Sequence, residues 1–227
     1  MQRRFDQQIE HLKQQLLLMS GRAESIIRKA LEALTRRDPA LAEEVFADDK
    51  LIDRMEIDIE EGCIQLLALQ QPLASDLRLI TAALKISNDL ERVGDHAVNI
   101  AGCAKALVGK APVPPLTDLP VLAEKSIAML RDALDAFVRF DADAARRLVR
   151  RDDEVDELNR QMFAELIRRM IADPLQVERS MTLVLVGRNL ERIADLATNV
   201  AEAVVFIAEA RIIKHHADEG LGEFGRA

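Results

Sequence analysis

Residues 87–101 and 187–201 are two versions of one segment. Leu90-Glu91-Arg92-Val93-Gly94-Asp95-His96-Ala97-Val98-Asn99-Ile100-Ala101 returns as Leu190-Glu191-Arg192-Ile193-Ala194-Asp195-Leu196-Ala197-Thr198-Asn199-Val200-Ala201, and seven of the fifteen aligned positions are identical. Two of the differences, Val93/Ile193 and Ile100/Val200, exchange one aliphatic side chain for another. A match at a fixed offset marks an internal duplication, so the two parts of the chain must fold alike.

Two patterns are superposed in each copy. Leu79, Ala83, Ile86, Leu90, Val93, Ala97, Ile100, Ala104 and Leu107 step by four and three without a break. Leu183, Val186, Leu190, Ile193, Ala197, Val200, Val204 and Ile207 repeat the pattern. A sustained 3.5-residue apolar period predicts a long helix packed in a bundle. The second pattern is polar: Glu91, Asp95 and Asn99, then Glu191, Asp195 and Asn199. Spacing of four sets each trio on one strip of helix, away from the seam. Two carboxylates so spaced repel by about 0.2–0.5 kcal/mol on an open helix, and a cation between them reverses the sign.

The same seam arithmetic lays out the rest of the chain. A first helix runs over residues 3–36 on Phe5, Ile9, Leu12, Leu16, Met19, Ala23, Ile26, Ala30 and Ala33. Asp38-Pro39 reads as the cap and first residue of a second helix, carrying Leu41, Val45, Ile52, Met55, Ile59, Leu66 and Leu69 and ending at Gln71-Pro72. The third helix spans residues 74–108. In the other half Thr117 or Asp118 starts a fourth helix, Asp141 caps a fifth, and Asp173-Pro174 opens a sixth that reaches 214. The expected class is all-α: two tandem, pseudo-symmetric three-helix bundles, six helices in all. Expected boundaries are 1–110 for the first repeat, a Pro-rich linker at 111–116, 117–214 for the second repeat and a flexible tail at 215–227.

Composition narrows the function. The net charge of −8 argues against nucleic acid and against an acidic membrane leaflet as direct partners. Trp and Tyr are absent, so stacking platforms for bases or sugars are few. No stretch has the length and apolarity of a membrane span or signal peptide, and Cys63 and Cys103 read as buried thiols, all of which fits the cytoplasm.

The duplication extends to a second acidic pair. Asp49 and Asp53 correspond to Asp152 and Asp156, and each second Asp directly follows a seam residue, Ile52 or Val155. Each half therefore offers two D/E-x-x-x-D pairs on neighbouring helices. Four carboxylates converging on one groove make an oxygen-only site for a hard cation such as Mg, Ca or Mn, with iron admitted. Asn99 and Asn199 could add amide oxygens, and His96 a nitrogen in the first half alone. The plain alternative is a solvated acidic face answered by Arg54, Arg78 or Arg92. Gly94, costly inside a helix, signals close approach of a neighbour.

The Glu-Arg-Val-Gly-Asp-His-Ala-Val-Asn-Ile stretch at 91–100, the Asp49/Asp53 pair and the degenerate second copy together resemble the PhoU family of bacterial phosphate-uptake regulators, over nearly the whole chain. The resemblance implies a non-enzymatic, cytoplasmic, often dimeric regulator. Such a protein works beside the ATPase subunit of the phosphate ABC transporter and a sensor histidine kinase, and represses the phosphate-starvation response when phosphate is plentiful. It also implies metal ligands: Asp49, Asp53, Glu91 and Asp95 in the first half, Asp152, Asp156, Glu191 and Asp195 in the second. The ion implied is divalent or ferric, with Mg, Mn, Ca, Zn and Fe not distinguished. Ala194 and Leu196 depart from the pattern where Gly and His are expected, which predicts unequal affinity in the second half. The competing reading is a carboxylate-bridged metalloenzyme on a helical bundle, but the Glu-x-x-His pairs that chemistry uses are missing from both repeats.

Overall fold

A computed structural model describes residues 2–111 and 118–213. The helices are α1 (Gln2–Arg36), α2 (Pro39–Gln70), α3 (Ala74–Ala106), α4 (Asp118–Arg139), α5 (Ala142–Val149), α6 (Asp152–Ala172) and α7 (Val177–Glu209), with a 3-10 turn at Pro174–Gln176. No strand occurs among the described residues. Residues 112–116 of the expected linker, the candidate cap Thr117 and the expected tail at 215–227 lie outside the described residues.

The helix starts follow the capping chemistry of the sequence. Asp38, in extended conformation, accepts from the Ala40 and Leu41 amides at 2.8 and 3.3 Å, with Pro39 as the first helical residue. Asp141 accepts from the Ala144 amide at 2.8 Å in the same way. The residue before each cap, Arg37 or Phe140, takes a left-handed conformation. The two first turns are thus built alike in both repeats. Arg37 also reaches across to α3, where its Nη1 donates to the Leu107 and Lys110 carbonyls and caps that helix end.

Three expected boundaries shift. The fifth helix is jointed: Arg151 donates to the Leu148 carbonyl at 2.8 Å and Glu154 to the Arg151 carbonyl at 3.1 Å, a tight three-residue pattern that divides it into α5 and α6. The sixth begins with the 3-10 turn capped by Asp173 and stops at Glu209, where Ala210 turns left-handed. The third ends at Ala106 rather than 108.

Packing follows the seams. Every residue of the α3 seam, Leu79 through Leu107, and of the α7 seam, Leu183 through Ile207, is buried. On α2, Leu41 and Met55 are partly buried and Leu69, near the last turn, is 75% exposed. Helices α1 and α2 pack on α3, helices α4, α5 and α6 pack on α7, and α3 packs on α7. Arg78 Nε bonds the Ile207 carbonyl at 3.3 Å, and His96 Nδ1 lies 2.9 Å from Asn189 Oδ1. Early residues of α3 thus meet late residues of α7, so the two central helices run antiparallel. Each spans about 50 Å.

Truncation should separate seam from surface. Leu190→Ala removes a fully buried side chain and should lower unfolding free energy by about 2–5 kcal/mol in urea titration. Leu69→Ala should change it by less than about 0.5 kcal/mol.

Candidate metal centre

In the first half, α2 carries Asp49 and Asp53, and α3 carries Glu91 and Asp95. Asp49 Oδ1 is buried without a hydrogen-bond partner. It sits where a side chain at position 94 would begin: a Cβ there would stand 2.5 Å from it, with Ile26 and Ile52 methyls at 3.6 Å. Gly94 therefore opens a slot in α3 for one specific carboxylate from α2.

The electrostatics show the four acids facing one another. Burial pushes Asp49 up to about 6, with Asp53 and Asp95 adding repulsion. Burial likewise raises Glu91 to about 7, with Asp95, Glu56, Asp53 and Asp49 contributing. Among the described residues no Lys or Arg nitrogen pairs with these four acids. Arg54 Nε instead bonds the Lys50 carbonyl at 3.1 Å, Arg78 the Ile207 carbonyl, and Arg92 approaches Asp89 at 4.0 Å. The arginines that could have made this a salt-bridged face are engaged elsewhere.

The second half gathers its acids more tightly. Asp152, Asp156 and Asp195 each place one carboxylate oxygen within 4.8 Å of the others. Asp152 rises to about 6 through burial, then Asp195 and Asp156, against a weak opposing bond from Thr198 Oγ1 at 3.4 Å. Asp156 and Glu191 are also raised, mainly by burial. Arg192 Nη1 pairs with Asp195 Oδ2 at 2.9 Å. Glu191 stands outside the close trio and accepts from Asn159 Nδ2.

Glu56 and Asn159 were not among the sequence candidates, although the signal was present. Each lies three residues beyond the second Asp of its pair, on the same strip as Asp49/Asp53 or Asp152/Asp156. Glu56 repels Glu91 and is held by Asn88 Nδ2 at 3.2 Å, while its counterpart Asn159 donates to Glu191. One replacement thus turns a fifth carboxylate into a hydrogen-bond donor. His96 is directed to the other half through Asn189, and Asn99 and Asn199 are exposed.

These features fit a hard cation. A buried carboxylate oxygen lacks a partner, a glycine makes room for it, and the surrounding donors are oxygens. Asp49, Asp53, Glu91 and Asp95, helped by Glu56, would hold an ion in the first half. Asp152, Asp156 and Asp195 would do so in the second, with Glu191 at the edge.

The chain matches the family model described as the PhoU domain twice, over residues 16–104 and 119–204. A phosphate-specific transport system accessory protein PhoU homolog of Aquifex aeolicus is 41% identical over 216 residues, covering 95% of this chain and 98% of that protein. A homolog of the same description from Clostridium acetobutylicum is 39% identical, covering 89% and 93%. The crystal structure of PhoU from Pseudomonas aeruginosa superposes with a TM-score of 0.88 at 36% identity, covering 91% of this chain and all of that one. The phosphate transport system regulatory protein PhoU from Streptococcus pneumoniae gives 0.85 at 29% identity, covering 92% and 98%.

The raised acids set a pH dependence. In the unfolded chain they titrate near 4, whereas folded Glu91 titrates at about 7 and Asp49 and Asp152 at about 6. Between those values the folded state holds protons that the unfolded state has released. Their stabilising effect is complete below about pH 4 and is lost as pH rises through about 7. The Tm of chelator-treated protein should therefore fall between about pH 4 and 7. Added Mn2+ should restore it at the upper end and do little at the lower. A Tm that climbs with pH in chelator would contradict this electrostatic account.

Proposed function

This chain belongs to the PhoU family, and from that premise we propose that it is a metal-binding regulatory adaptor of phosphate uptake. In this reading it works in the cytoplasm between the ATPase subunit of a phosphate ABC transporter and a sensor histidine kinase. It keeps the phosphate-starvation response repressed while phosphate is plentiful, and it acts as a homodimer. The observation that carries the proposal is that both repeats match the family and both keep converging acidic pairs on neighbouring helices. The relatives' names describe accessory proteins of a transport system, not enzymes.

The surfaces support docking. Leu69, Leu73 and Leu77 are exposed around the α2–α3 turn, and Ile171, Leu175 and Met181 around the α6–α7 turn. Because α3 and α7 are antiparallel, these apolar tips stand at opposite ends of the central pair, free for protein contacts. No helix among the described residues is long and apolar enough to cross a membrane. Contact with the membrane would then run through the transporter.

A bound cation would supply positive charge where the carboxylates of adjacent helices repel. Asp49 and Asp53 would then be tied to Glu91 and Asp95, and Asp152 and Asp156 to Asp195, fixing the spacing of α2 against α3 and of α6 against α7. Gly94 keeps Asp49 in place for that bond.

Two experiments test the reading. Asp152→Asn combined with Asp195→Asn should lower bound metal in elemental analysis while far-UV CD stays helical; unchanged metal content would remove the second site. Deleting the gene should switch on phosphate-starvation promoters in phosphate-rich medium, and promoters that stay silent would defeat the regulatory role.

A further inference from the structure

A cleft of about 380 Å³ lies where the two halves meet. Its wall takes Arg92 and His96 from α3, Arg192, Asp195 and Thr198 from α7, and Asp152 from α6. Arg92 and Arg192 are the same position of the two copies. The antiparallel run of α3 and α7 brings them to one cavity, one from each half. Their side chains are 53% and 50% exposed, so neither guanidinium is buried in a structural bond. Arg192 leans on Asp195 at 2.9 Å, and Arg92 stands 4.0 Å from Asp89. His96 is pinned to Asn189 across the junction.

Asp152 and Asp195 belong both to this wall and to the close carboxylate trio. That overlap gives the cleft two electrostatic states. With the trio empty, four lining carboxylates (Asp152, Asp153, Asp195 and Glu202) outweigh two guanidiniums, and an anion is repelled. A divalent cation on the trio, which also takes in Asp156, would offset most of that excess. The Asp195 carboxylate would then be shared with the cation, which would weaken its hold on Arg192 and leave that guanidinium, with Arg92, available to the cavity. Paired guanidiniums bind tetrahedral oxyanions through charge-assisted, bidentate hydrogen bonds.

We propose that this cleft binds a phosphate-type oxyanion between Arg92 and Arg192, one from each repeat, and that it does so when the neighbouring carboxylate trio holds a cation. The inference rests on the metal-centre reading and adds an anion site to it. Each half donates one guanidinium, so the anion bonds the two bundles across their junction and reports on cation and phosphate together.

The test uses the full chain. Mn2+ binding is first measured alone by equilibrium dialysis. Failure there removes the metal reading by itself, before phosphate is added, and with it the cation-gated cleft. Radiolabelled inorganic phosphate is then dialysed against Mn2+-loaded and chelated protein. Loaded protein should retain phosphate and chelated protein should not. Arg92→Gln and Arg192→Gln should each weaken phosphate binding about tenfold or more with Mn2+ stoichiometry unchanged, and the remote Arg36→Gln should match the parent. Competition by phenyl phosphate tells the sources apart. Displacement at lower concentration than free phosphate assigns the site to a phosphorylated partner, and displacement only at higher concentration assigns it to free phosphate. Loaded protein that ignores phosphate, retention that survives chelation, or binding indifferent to both arginine changes would overturn the proposal.

Discussion

The packing of α3 against α7 is the contact on which the rest of the molecule depends. Each of these helices buries its seam within its own trio and gives another side to its counterpart. Seams alone would leave two independent bundles. Ala82, Cys103 and Leu196, off the seams, are buried as well. The antiparallel sense of the pair sets the equivalent motifs of the two copies side by side, so both arginines of the repeat line one cleft, with Asp152 and Asp195 of the second acidic group in its wall.

Against this apolar frame the acids are a source of frustration. Glu91 lies half-buried among Asp95, Glu56, Asp53 and Asp49, and its proton affinity rises accordingly. An arrangement that no basic partner relieves persists only where the surrounding core over-determines it, as the buried Ile26, Ile52 and Val93 do here. Strain of this kind clusters at functional sites. It separates these carboxylates from the many exposed acids of the chain, such as Glu154 and Glu165, which basic neighbours hold below their usual range.

Most of the architecture was legible because it follows from periodicity and caps. The seams of α1, α3 and α7, the Asp38, Asp141 and Asp173 starts and the pairing of acids between halves all follow from residue type and spacing. What escaped depended on neighbours. A helix gripped from three sides buries more than one stripe, and period alone does not say what covers the second. The joint at Arg150 and Arg151 carries no proline or glycine, so nothing local announced it. Glu56 and Asn159 sat on the right strip, but their importance shows only once Glu91 and Glu191 are placed opposite. Gly94 was legible as a close approach; that its visitor is a carboxylate was not.

The joint between α5 and α6 has a consequence for symmetry. It makes Asp152 the first residue of a helix, with Asp153 and Glu154 in the same turn. Backbone amides in the first turn of a helix carry positive partial charge. Asp49, its twin, lies well inside α2 and meets no such field. One acid therefore has a built-in peptide dipole at its back, whereas the other relies wholly on what diffuses in from solution. An otherwise duplicated protein is thereby given a more dependent side, the one beside Gly94.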